Sequence, residues 1–123
     1  MAAKKNTAKK AALPKGFVEA RQRLDGFFER TEGNTLQGRL RGSFDVKGKF
    51  GIKRVFRIEI TDGETQIGDG EMVGPGSCVG LDETGYTKVL AELPPDTIVF
   101  VRYDGKGPDT RDPHMFTVGK LAD

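Results

Sequence analysis

Seven of the twenty Lys and Arg residues in this 123-residue chain stand between Arg39 and Arg57: Arg39, Arg41, Lys47, Lys49, Lys53, Arg54 and Arg57. Asp45 is the only acidic residue among them. Guanidinium and ammonium groups at this density suit charge-assisted binding of a phosphate-bearing polyanion. Phe50 stands inside the run, next to Lys49, where an aromatic ring can offer a flat apolar face beside the cations. The plain alternative is a solvated charged face that keeps strands soluble.

Other chemistry is poorly supplied. His114 is the only histidine and Cys78 the only cysteine, and they lie far apart. They make neither a metal site nor a nucleophile–base pair without further partners. The glycines from Gly68 to Gly80 do not form a dinucleotide fingerprint, a P-loop or a nucleophile elbow. The expectation is a non-enzyme with no cofactor and no metal. Cys78 is expected to be a small buried hydrophobe. A lone cysteine allows no internal disulfide and suits a reducing cytoplasm. No apolar run approaches the ~20 residues of a membrane span, so no membrane partner is expected.

The cations need a scaffold, and alternation supplies one. Leu36, Gly38, Leu40, Gly42, Phe44 and Val46 fall on one face of a strand, as do Ile52, Phe56, Ile58 and Ile60 on the next. Glycines at 48 and 51 join the two as a long hairpin. Arg39, Arg41, Lys53 and Arg57 then point outward, Lys47 and Lys49 sit on the loop, and Phe50 is its tip. Phe44 and Phe56 are expected in the core. Arg54 shares parity with Ile52 and Phe56, so it points inward unless a bulge resets the register. Asp62-Gly63 is a turn, and an interrupted third strand is expected within Gln66–Leu81. Asp82–Leu93 reads as a helix with Tyr86, Val89, Leu90 and Leu93 on one stripe, stopped by Pro94-Pro95. Asp96–Tyr103 and His114–Val118 read as strands, with Phe100 and Arg102 opposite Val99 and Val101. Lys106 and Arg111, in the loop between them, are placed to close a groove. Residues 1–15 read as a disordered basic arm, 16–31 as a short helical extension, and 32–120 as one domain.

The predicted order, β-β-β-α-β-β, is that of a five-stranded OB-like barrel in a mainly β chain. An open sandwich or SH3-like barrel with one helix is the alternative. The regular glycines at 38 and 42 fit a strand that bends to close a small barrel. Charge is unevenly spread: residues 38–57 carry seven basic groups against one acid, and residues 58–123 carry five against thirteen. That asymmetry predicts a dipolar molecule with a basic hairpin and an acidic remainder.

The stretches EGNTLQGRL, KGKFGIKRVFRI, DTIVFVRYDGK and HMFTV, set around a central helix, resemble small phage- or prophage-encoded single-stranded DNA-binding proteins of the OB fold. The resemblance covers residues 28–118 and rests on spaced glycines and alternation. It implies an accessory role in DNA replication, recombination or repair, with single-stranded DNA and replication or recombination proteins as partners. The expected nucleic-acid-binding residues are Arg39, Arg41, Lys47, Lys49, Phe50, Lys53, Arg57, Phe100, Arg102 and Lys106. The competing function is a non-catalytic protein-interaction or structural adaptor module docking through Phe17, Phe27 and Phe28.

Overall fold

The computed structural model describes residues 15, 24–49, 51–108 and 113–122. Most of the predicted basic arm and helical extension, Phe50 and Arg111 lie outside the described residues.

The chain is mainly β. Its strands are β1 (Gly26–Phe27), β2 (Thr35–Gly48), β3 (Gly51–Asp62), β4 (Thr65–Gln66), β5 (Met72–Val73), β6 (Cys78–Asp82), β7 (Ile98–Lys106) and β8 (His114–Lys120). Six of them form one mixed sheet in the order β1-β6-β3-β2-β7-β8, and β4 with β5 makes a small separate hairpin. The predicted closed barrel is not seen: the sheet's ends, β1 and β8, are not paired with each other among the described residues. The turn from β1 spans that gap. β1 runs parallel to β6, and Phe28, just after it, packs on Phe116 of β8 with ring centroids 6.2 Å apart. Asn34 ties the same turn down, its amide donating to the carbonyls of Glu29 and Gln66 and accepting from Gln66 N–H.

The central β2–β3 hairpin forms as the alternation predicts, with one change. Leu36, Leu40, Ile58 and Ile60 are buried, together with Val79, Leu81, Val99, Val101 and Phe116. A bulge then interrupts the pairing between Leu40 and Ser43, where Gly42 takes φ +90°. The extra residue flips the alternation. Ser43 stands opposite Phe56, and Phe44 stands opposite Val55 on the outer face, so Phe44 is half-buried there and not in the core. Beyond the bulge the hairpin outruns its neighbours. β7 pairs with β2 only over Thr35–Arg39, and β6 pairs with β3 only over Val55–Glu59. The free end is a two-stranded ribbon, which is why Val46 and Ile52, placed by alternation on the apolar face, are exposed.

One helix prediction is corrected outright, and a second over its described residues. Asp82–Leu93 holds the end of β6, a turn, and a 3-10 helix over Lys88–Glu92. Thr84 and Thr87 hydroxyls engage the backbone of that turn, and Pro94 follows at once, so too few residues remain for an α-helix. Of the predicted stripe, Leu90 is buried, Leu93 half-buried, and Tyr86 and Val89 exposed. In the predicted N-terminal helix, the described residues from Leu24 to Arg30 include β1 and no helical turn. The Gln66–Leu81 segment is interrupted as expected, with β6 as its third sheet strand. Cys78 is buried, and burial pushes its thiol pKa up.

Candidate nucleic-acid interface

The outer face of the sheet can be read off the register. Across β7, β2 and β3, Phe100 stands opposite Gln37, and Ile98 opposite Arg39, which faces Glu59. Two residues along β3 comes Arg57, then Val55 opposite Phe44, then Lys53 opposite Val46. Arg102, opposite Thr35, lies at the other end of the stripe. Five predicted site residues, Arg39, Lys53, Arg57, Phe100 and Arg102, thus share one face, and Phe44 joins them. Alternation alone missed Phe44; the signal was Gly42, whose positive φ allows the bulge.

Arg57 and Phe44 form the centre of this face. The guanidinium carbon lies 4.4 Å from the Phe44 ring centroid, a cation–π stack. Its Nε is buried and has no hydrogen-bond partner among the described residues. Opposite Arg57 stands Gly80, where an added Cβ would lie 2.9 Å from Leu24 and 3.1 Å from the Phe27 ring. Leu24 and Phe27 therefore cover the β6 end of the face, and among the described residues nothing else from the N-terminal segment covers its β7–β2–β3 part.

Several predicted cations are already engaged. Arg41 reaches Asp96 at 2.7 Å and Glu59 at 3.5 Å. Lys53 contacts Asp82 at 3.3 Å, and Arg102 contacts Asp104 at 2.6 Å while also donating to Thr117. Arg54, at the puzzling parity, is half-buried beside Glu83 at 3.5 Å, on the ribbon and outside the core. Among the described residues Arg39, Lys47 and Lys106 make no ion pair; Lys47 and Lys106 are exposed and Arg39 half-buried. Lys49 is exposed at the hairpin turn. Lys106 pairs with His114 across β7 and β8, away from the Arg57 centre. Hydrogen bonds from Thr117 and Arg102 hold the Asp104 carboxyl below the usual range. Exposed ion pairs of this kind contribute only ~0–1 kcal/mol, so a phosphate can compete for their cations.

An open groove of about 600 Å³ continues the outer face at the free end of the hairpin. Phe27, Val46, Ile52 and Val55 give it apolar walls, with Lys53 and Arg54 on one side and Asp82 and Glu83 on the other. No group of three or more metal-ligating side chains occurs among the described residues. No helix among them is long and apolar enough to cross a membrane. Compared with protein-family models, curated proteins and solved structures, the chain matches none.

Proposed function

We propose that the chain is a sequence-tolerant single-stranded DNA-binding protein. It is built as an OB-like barrel and serves DNA replication, recombination or repair in the cytoplasm, as the resemblance to phage-encoded binders implies. The run β6-β3-β2-β7-β8 has the strand order of a five-stranded OB barrel, and the Phe28–Phe116 contact fills the gap where such a barrel closes. One observation carries the reading: a single open face presents Arg39, Lys53 and Arg57 interleaved with the rings of Phe44 and Phe100. Single-strand binding needs that pairing of cations for the backbone and aromatic faces for the bases. The strand tracks across β7, β2 and β3 toward the hairpin loop, with no turnover.

The test is fluorescence anisotropy of a labelled dT30 strand, with duplex DNA and single-stranded RNA as controls. Saturable binding that favours dT30 over the duplex, and is lost in the Arg39→Ala/Arg57→Ala variant with its fold intact, supports the reading. Absence of binding at low salt sinks it.

A further inference from the structure

We propose that the groove at the free end of the hairpin takes one unpaired base, and that guanine is the base it prefers. This rests on the single-strand reading above and adds one selective position to an otherwise tolerant track. The groove gathers exposed apolar side chains: Phe27 is 46% exposed, Val46 40% and Ile52 74%. A patch of this kind, open and beside cations, marks a binding surface. It is the next step along the outer face, because Phe44 stands opposite Val55 and Val46 opposite Lys53. A strand stacked at Phe44 runs directly into it.

The charges in the groove orient what enters. Lys53 and Arg54 lie on the hairpin side, and Asp82 and Glu83 on the β6 side. Phosphate is repelled by the carboxylates and drawn to the cations, so the backbone follows the hairpin and the base edge faces Asp82 and Glu83. Asp82 Oδ2 contacts Lys53 at 3.3 Å and Arg30 at 3.9 Å, and Glu83 Oε2 contacts Arg54 at 3.5 Å. The other oxygen of each carboxylate has no side-chain partner among the described residues. An ionised carboxylate only accepts hydrogen bonds. Guanine sets N1–H and the N2 amino group side by side, a bidentate match. Thymine offers one N–H between two carbonyl oxygens, which a carboxylate repels.

The experiment compares the full chain binding dT12 and the same strand with one central dG, since a lone guanine cannot form a quadruplex. The dG strand is expected to bind about fivefold tighter or more. Asp82→Asn or Glu83→Gln removes that preference without weakening dT12 binding. Ile52→Ser, at an exposed site that leaves the fold intact, weakens the dG strand more than dT12. Equal affinity for the two strands overturns the guanine site while leaving the single-strand reading standing. A preference that survives all three variants also overturns it. Failure to bind either strand overturns both readings.

Discussion

The Arg57 guanidinium stacked on Phe44 gives one ring a fixed orientation on an open face. A base stacked on such a ring contributes ~1–3 kcal/mol. Phe44→Ala should therefore weaken dT30 binding by at least about fivefold, with little change in thermal stability, because Phe44 is outside the core; anisotropy and a thermal melt check the two halves. At the opposite end of the sheet, the Tyr103 hydroxyl lies 2.7 Å from His114 Nδ1. Burial, with Arg30 and Lys106 nearby, holds the His114 pKa below the usual histidine range. The unfolded chain then takes up the proton first, so protonation favours unfolding. Stability should be full above pH ~6.5 and fall as pH drops below it toward the depressed folded value. His114→Gln should flatten that part of the profile, as read from urea midpoints across the range.

Strand β2 holds the fold together, pairing with β3 along most of its length and with β7 at its start. Gly38 lies where the two pairings overlap, and a register shift beside it brings the strands close. A Cβ there would lie 2.1 Å from the Glu59 carbonyl oxygen, a backbone atom that cannot swing away. Gly38→Ala should destabilise by at least about 2 kcal/mol in urea unfolding, with the binding face still formed in whatever fraction remains folded. The alternation from Leu36 to Leu40, and over β3 and β7, was legible because those stretches meet a partner on both sides. It placed Arg39, Arg57 and Phe100 on one face. The bulge after Leu40 was not legible as a break, because Phe44 and Val46 continue an apolar rhythm that the backbone no longer follows. The helical extension expected over 16–31 failed in its described part for another reason: β1 is stabilised by β6, a partner remote in sequence. The ion pairs of the site were hidden likewise, since Asp82, Glu83 and Asp96 come from turns and strand ends far along the chain.

Over the whole molecule, the predicted dipole is partly folded away. Acidic residues from the second half of the chain sit against Arg41, Lys53 and Arg54 of the basic hairpin. Arg39, Arg57 and Lys53, whose exposed pair with Asp82 a phosphate can displace, are the cations the binding face offers to a backbone. With about three phosphates neutralised, the log–log salt dependence of binding should have a slope of about −2. A slope of about −4 or steeper would mean that the internal pairs open and their cations turn to the strand. A different consequence concerns the order of assembly. The β2–β3 hairpin closes locally, and β6 then docks on β3, but β1 has no template until β6 is in place, since Gly26 meets Val79 and Phe27 meets Gly80 in parallel. The segment bridging the two ends of the sheet is thus the last to dock in folding and the first to detach in opening. The Phe28 amide, bonded to the Gly80 carbonyl at 2.9 Å, should therefore exchange its hydrogen sooner than the amides paired between β2 and β3.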